Sequence, residues 1–196
     1  MATSLSPEFV VPRLRGRFGR PYLYVEVCSS TQRLLGPEHS EGAIAVTEEQ
    51  TEGRGRLGRR WLSPPGVSVL CSVLLEPPVE TQRLPELSLV AGQACAEAIA
   101  AVTGLEPEIK LPNDILLGGR KAAGILAEAR DGRVVLGIGI NVNVPRDELP
   151  VEVNRPATSL LVETGAEVDR AELLVELLAA LERRYDEWVA EAATGT

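Results

Sequence analysis

Residues 50–61, Gln-Thr-Glu-Gly-Arg-Gly-Arg-Leu-Gly-Arg-Arg-Trp, place four arginines and three glycines in one polar stretch. Arginine offers a planar, permanently charged fork that matches phosphate or carboxylate, and glycine lets a backbone take positive φ and approach a ligand closely. The stretch therefore suits an anionic ligand. The plain alternative is a solvated basic loop with no ligand. A second group follows in Lys110-Leu-Pro-Asn-Asp114 and Lys121-Ala-Ala-Gly124, which bring two lysines, an amide, a carboxylate and a glycine into one predicted hairpin. A carboxylate beside a lysine is usually a surface pair worth little. Yet Asn113 and Asp114 sit between a proline and the apolar Ile115-Leu-Leu117, where core or simple turn residues are expected. The two groups together could manage both a phosphate and a nucleophile. Ser30 and Thr31 close an apolar stretch and either cap a short helix or bond a polar ligand.

Gly53-x-Gly55-x-x-Gly58 also spells the dinucleotide-binding fingerprint after an apolar run, Ala43-Ile-Ala-Val46. That fingerprint requires a helix opening at its last glycine. Here Trp61-Leu-Ser-Pro-Pro65-Gly66 follows, and prolines there exclude the helix. The stretch is read instead as an arginine-bearing loop between two strands.

The elements that must position these groups follow from periodicity. Tyr22–Cys28, Ala43–Thr47 and Val67–Leu75 read as strands, with a short helix from Ser29 to Leu35. Leu87 to Val102 reads as an alanine-rich helix stopped by Gly104, with Gly92 at a close contact. Gly118-Gly119 and Asp131-Gly132 are hairpin turns that make strands of Lys121–Ala129 and Val134–Asn143, hence a meander rather than βαβ units. Val144 to Pro156 is expected as loop. Asp169 opens a helix through about Val189 with Leu173, Leu174, Leu177, Leu178, Leu181 and Tyr185 on one face. Residues 1–20 are expected as an ordered or frayed arm, 21–190 as one α+β domain, and 191–196 as a tail without order.

Composition narrows the function. The chain has 196 residues and a net charge of −8, which argues against wholesale nucleic-acid binding, so the arginines serve a local purpose. Cys28, Cys71 and Cys95 have no metal-ligand spacing and lie in apolar runs, as buried reduced thiols of a cytosolic protein would. His39, the only histidine, sits in a polar run and reads as a solvated loop residue, which leaves a Ser-His-Asp triad or zinc site little to work with. No stretch reaches the ~20 apolar residues of a membrane span. The N-terminal Arg13, Arg15, Arg17 and Arg20 lack the apolar run of a secretory signal.

The sequence resembles the catalytic domain of biotin protein ligases. Four separated blocks carry the resemblance: Ser30-Thr31-Gln32; Gln50 to Trp61 with Ser63-Pro64 and Gly66; Lys110-Leu-Pro-Asn-Asp114 with Lys121-x-x-Gly-Ile-Leu-x-Glu128; and Gly137-Ile-Gly-Ile-Asn141. It implies a mixed, largely antiparallel sheet with helices packed on one side. It also implies a two-step reaction with ATP and Mg²⁺, in which biotin becomes biotinyl-5′-AMP and then passes to a lysine of a biotin carboxyl carrier protein. By the same resemblance, Lys121 and Arg56 contact the biotin carboxylate and adenylate, and Arg54 assists them. Ser30, Thr31, Gln32 and Gln50, with backbone near Gly124, hold the ureido ring, and Gly53 and Gly55 let the loop pass closely. Asn141 faces adenine, Trp61 covers the pocket, and Asn113 and Asp114 orient or deprotonate the incoming lysine. No metal ligands are implied by residue.

Three departures stand out. Leu111 replaces a tryptophan usual in the family, which puts packing beneath the site in question, and Gln32 stands where asparagine is common. The small C-terminal β-barrel of many members is expected to be absent or truncated. The winged-helix domain of repressor-type members is expected to be absent, with no DNA binding and no membrane association. Family members often pair through sheet edges, so a homodimer is expected. A lipoate or octanoate ligase of the same superfold and a non-catalytic biotin binder are the competing readings.

Overall fold

The computed structural model describes residues 4–151 and 156–194. The expected loop at 144–156 and tail at 191–196 therefore fall partly outside the described residues. Seven strands form one sheet: β1 (Tyr22–Cys28), β2 (Ile44–Gln50), β3 (Ser68–Leu75), β4 (Glu108–Lys110), β5 (Asp114–Leu117), β6 (Arg120–Arg130) and β7 (Arg133–Asn141). Their order is β1-β2-β3-β7-β6-β5-β4. Only the β1–β2 pair is parallel; the others are antiparallel, and β4 to β7 form the expected meander. The helices are α1 (Pro7–Val10), α2 (Leu87–Thr103), α3 (Leu160–Thr164) and α4 (Arg170–Thr194).

The sheet's two faces differ in what covers them. One face of β3, β6 and β7 presents Val69, Val73, Ala123, Ile125, Leu136, Ile138 and Ile140 to the main core, shared with α2 and α4. Alternation sends the intervening residues to the other face. There a smaller apolar cluster of Leu35, Ala43, Ala45, Leu74 and Val135 forms, with Leu70 and Leu126 nearer the glycines of β6 and β7. Alanines on α2 let it lie close to the sheet, and a β-carbon at Gly92 would meet Ile109 Cγ2 at 3.4 Å. The leucine stripe of α4 is buried as its spacing requires.

Several boundaries differ from expectation. β2 runs on to Gln50 despite its polar end, because β1 pairs with it as far as Cys28↔Gln50. The helix expected after Cys28 is a single 3-10 turn, Thr31–Arg33. α4 continues to Thr194 instead of leaving a tail from residue 192, since Ala190-Glu-Ala-Ala193 contains no helix breaker. α3, unforeseen, is capped by Ser159, whose hydroxyl accepts from Val162 N. His39 is less solvated than its polar neighbours suggest, with 15 % of its side chain exposed and Nδ1 accepting from Gly36 N at 3.1 Å.

The N-terminal arm is ordered against α4. Leu5, Val10 and Phe18 enter the core. Arg13 pairs with Asp169 at 3.2 Å, Arg15 with Glu176 at 2.5 Å, and Arg17 with Glu182 at 3.1 Å and Asp186 at 2.5 Å. Beside the arm, Arg170 is 2 % exposed and gives Nη1 to Glu48 Oε2 at 2.6 Å and to Ser68 O at 3.0 Å. Glu48 Oε1 also accepts from Leu5 N at 2.9 Å.

Two outcomes follow from this packing. Glu48→Ala leaves the Arg170 charge buried beside a lone carbonyl and is expected to destabilise the fold by about 3–5 kcal/mol, read as a lower urea midpoint; a loss under about 1 kcal/mol would contradict it. Burial pushes the Cys71 thiol up to about 12 and Cys95 higher still, whereas Cys28 is only half-buried. The thiolate is the reactive form. Iodoacetamide at pH 8 should therefore label Cys28 alone in the native protein, and mass spectrometry showing native modification of Cys71 or Cys95 would refute the packing.

Candidate active site

The site lies on the sheet face turned away from α2, where three glycines leave the strands bare. Gly124 on β6 pairs with Gly139 on β7, and Leu126 pairs with Gly137. A β-carbon at Gly139 would come within 2.6 Å of Trp61 Cε2, one at Gly124 within 2.8 Å of Trp61 Cζ3, and one at Gly137 within 2.6 Å of Gln32 Nε2. Real β-carbons do not approach so closely, so a side chain at any of these positions would force the indole or the carboxamide above it to move. An indole and a carboxamide thus lie directly on backbone.

The walls come from four places. The segment that follows β1 supplies Ser30, Thr31 and Gln32, all at most 3 % exposed. Ser30 precedes the 3-10 turn but its side chain does not cap it, so capping does not account for that residue. Thr31 N donates to Gln50 Oε1 at 2.9 Å, and Thr31 Oγ1 lies 2.8 Å from Ser72 Oγ on β3. Gln32 Nε2 donates to Leu126 O at 2.8 Å. The polar end of the cavity is thereby fixed in place.

The arginine stretch forms a hairpin above this floor. Trp61 N donates to Gly53 O at 2.9 Å, Gly55 N donates to Arg59 O at 2.8 Å, and Arg54 and Arg60 form a backbone bridge. Gly53 is needed at the neck, where a β-carbon would meet Trp61 O at 2.4 Å. No α-helix follows; the tip is one 3-10 turn, Arg56–Gly58, in which Leu57 takes φ +57° and is 88 % exposed. Rejection of the dinucleotide fingerprint agrees with this geometry.

The third and fourth walls carry charge. Lys121 Nζ lies 3.3 Å from Asp114 Oδ1 and 5.5 Å from the centre of the Trp61 ring, and its side chain is 14 % exposed. Arg56 Nη1 reaches Asn113 Oδ1 at 3.4 Å, while Asn113 Nδ2 donates to Ile125 O at 3.1 Å. The backbone of Lys121 is held by a strap: its N donates to Pro156 O at 3.0 Å and its O accepts from Thr158 N at 2.8 Å. A cleft of about 690 Å³, open to solvent on one side, lies between floor, hairpin and these walls. Among the described residues no three His, Cys, Asp or Glu side chains cluster as metal ligands.

The residues predicted from sequence are largely brought together. Ser30, Thr31, Gln32, Gln50, Arg54, Gly55, Arg56, Trp61, Asn113, Asp114, Lys121 and Gly124 all line this cavity. Asn141 does not line it. It is 2 % exposed beneath the strap, with Nδ2 donating to Thr158 O at 3.0 Å. Arg54 lines the cavity, but its Nη1 is bonded to Glu128 at 2.7 Å. Leu111 is 62 % exposed, so it packs nothing beneath the site. Sequence reasoning missed Ser72 and the role of Gly137 and Gly139. Alternate glycines inside a predicted strand were the available signal, because they mark close approach by another group.

Three buried polar atoms here have no hydrogen-bond partner: Gln32 Oε1, Trp61 Nε1 and Asn141 Oδ1. Orphaned buried groups are costly, so the two on residues that line the cavity, Gln32 Oε1 and Trp61 Nε1, fit a polar ligand, whereas Asn141 lies outside that lining. The floor also makes a ligand-independent prediction. Gly139→Ala should lift the indole from β7 and make Trp61 fluorescence more accessible to acrylamide, with the far-UV spectrum unchanged. Quenching equal to that of the parent protein would show that the indole does not rest there.

Comparison with known proteins agrees with this geometry. The sequence pattern of the biotin/lipoate A/B protein ligase family matches residues 24–144. The chain is 39 % identical over 185 residues to the bifunctional ligase/repressor BirA of Bacillus spizizenii, an alignment covering 90 % of this chain and 57 % of that protein. It is 41 % identical over 154 residues to the biotin–[acetyl-CoA-carboxylase] ligase of Mycobacterium tuberculosis, covering 76 % and 56 % respectively. The chain thus spans somewhat more than half the length of these relatives. The biotin protein ligase of Aquifex aeolicus, solved with biotin and ATP, superposes with a TM-score of 0.78 at 36 % identity, over 87 % of this chain and 72 % of that one. The matched family pattern, the identity to these relatives and the common fold lead to one conclusion: the chain belongs to the biotin/lipoate A/B protein ligase family.

Proposed function

We propose that this chain is an ATP-dependent biotin protein ligase that activates biotin as an acyl-adenylate and transfers it to a lysine of a carboxylase carrier protein. The observation that carries the reading is the convergence of Arg56, Lys121 and Asp114 on one glycine-floored cavity of about 690 Å³. Pockets of roughly 300–1,000 Å³ suit small-molecule ligands. The biotin and ATP bound to the Aquifex aeolicus relative support both ligands here.

In the first step a biotin carboxylate oxygen attacks the α-phosphorus of ATP, and the bond to the bridging oxygen breaks to release pyrophosphate. Both reactants are anions. Arg56 and the Lys121 ammonium lower their repulsion, and they act most strongly as negative charge builds on the α-phosphoryl oxygens. The bonded Ser30–Gln32 segment, Gln50 and the Gln32 Oε1 lone pair offer a polar end that fits the ureido ring. Trp61 Nε1 and the indole face offer stacking and a donor near the nucleotide.

In the second step a carrier lysine amine attacks the acyl carbon, the carbon–oxygen bond to AMP breaks, and the amine nitrogen loses a proton. A free lysine is protonated at neutral pH. On this reading Asn113 would orient the amine and the Asp114 carboxylate, which opens β5, would accept its proton. Mg²⁺, bound together with ATP, would supply charge neutralisation to the triphosphate, and among the described residues no three His, Cys, Asp or Glu side chains cluster to hold it by themselves. Three free cysteines accord with a reducing, cytoplasmic setting, and among the described residues no helix is long and apolar enough to cross a membrane. Pairing into a homodimer through a sheet edge and absence of DNA binding belong to the same proposal.

The test mixes the protein with Mg-ATP, a biotin carboxyl carrier domain, and either biotin or lipoate, and reads the acceptor's intact mass. One biotinyl group is expected, with the rate falling by about 100-fold or more in Lys121→Ala and in Arg56→Ala. Lipoylation in its place would assign the chain to the lipoate branch. Biotin binding without acceptor modification would make it a binder.

A further inference from the structure

Glu128 closes the block that begins at Lys121, yet neither step above gives it a role. It lies on the ligand face of β6, beyond Gly124 and Leu126. Its Oε2 accepts from Arg54 Nη1 at 2.7 Å and from Arg130 Nη2 at 2.9 Å, and its side chain is 23 % exposed. Arg54 and Arg56 are two residues apart on one hairpin, but they diverge. Arg54 runs to Glu128 on β6, and Arg56 runs to Asn113 at the turn before β5. The hairpin is thereby tied on both flanks of the cavity it covers. A second cavity of about 570 Å³ separates the rest of its outer side, residues 52–60, from Leu126–Glu128.

The backbone bonds at the neck, between Gly53 and Trp61, set where the hairpin can pivot. They do not oppose a swing of the tip as a unit. That swing is resisted by side chains that leave the hairpin for its surroundings, Arg54 beside the neck to Glu128 and Arg56 at the tip to Asn113. A segment held by few contacts opens at low free energy, so loss of one tie shifts its population measurably. An exposed pair of this kind adds little to global stability. It can still bias the position of a surface hairpin whose base is pinned by Trp61 on the glycine floor.

We infer that Glu128 is a positioning residue, which through Arg54 latches the arginine hairpin over the cavity and so keeps activated biotin from water until the acceptor amine arrives. The latch rests on geometry alone. Its consequence for the adenylate rests on the ligase reading. Arg54 is then assigned to closing the site rather than to the ligand.

Hydrogen exchange followed by mass spectrometry tests the latch without any ligand. In Glu128→Gln the amides of residues 53–61 should exchange about two- to five-fold faster, while β3 and β7 peptides keep their parent rates. The charge swap Arg54→Glu with Glu128→Arg should restore the slow rate. Unchanged exchange in the hairpin, faster exchange throughout the sheet, or failure of the swap to restore it would each overturn the latch. The second readout is the ratio of AMP released to acceptor biotinylated, which should rise in Glu128→Gln and return in the swap. Faster hairpin exchange with an unchanged ratio would overturn the retention role. If the parent protein modifies no acceptor, the ligase reading fails while the exchange comparison still decides the latch.

Discussion

A β-sheet face with no side chains on part of it is the constraint from which the site is built. Gly124, Gly137 and Gly139 leave the centre of β6 and β7 flat, so other groups lie against backbone at distances a methyl would forbid. Such a floor weakens strands, because glycine packs nothing and loses more freedom on folding than any other residue. The loss is offset on the other face, where Ala123, Ile125, Leu136, Ile138 and Ile140 on the same strands meet α2 and α4 in the main core. One face holds the fold together, and the other is left for a ligand.

Charge is distributed according to the same division. The chain is acidic overall, but four arginines and Lys121 face one cavity, with Asp114 and Glu128 as the local carboxylates that hold two of them. Those pairings direct the cations rather than cancel them. The Lys121 backbone is strapped by Pro156 and Thr158, and Asn141 fixes the strap from below. A charged side chain held this way keeps its position relative to the cavity, and small displacements of such groups weaken contacts to a ligand steeply.

Much of this was legible in the sequence, for identifiable reasons. The meander was readable because Gly118-Gly119 and Asp131-Gly132 punctuate period-2 runs, and both turns take positive φ as those residues allow. The α4 stripe was readable because its leucines recur at helical spacing. The cavity walls were readable as motifs, since glycine, arginine and Asn-Asp in those orders are hard to explain as core. What stayed hidden depends on partners far apart in the chain. Ser72 looked like one polar residue in an apolar strand until Thr31 came within 2.8 Å of it. The parallel β1–β2 pair, the Arg54–Glu128 bond and the docking of the arm have no local signature. Asn141, readable as a motif residue, turned out to sit under the strap and outside the cavity lining.

The arm and the last helix have a bearing on how the chain comes to be folded. Arg13 meets Asp169 and Arg17 meets Asp186, separations of 156 and 169 residues. Because synthesis runs from N- to C-terminus, the arm is made well before α4 and waits for that helix before it can dock. Leu5, Val10 and Phe18 remain uncovered through that interval, and long-range contacts of this kind are slow to form. The arginines among them keep the waiting segment charged and hydrated. When α4 arrives, the same charges set the register in which the arm closes.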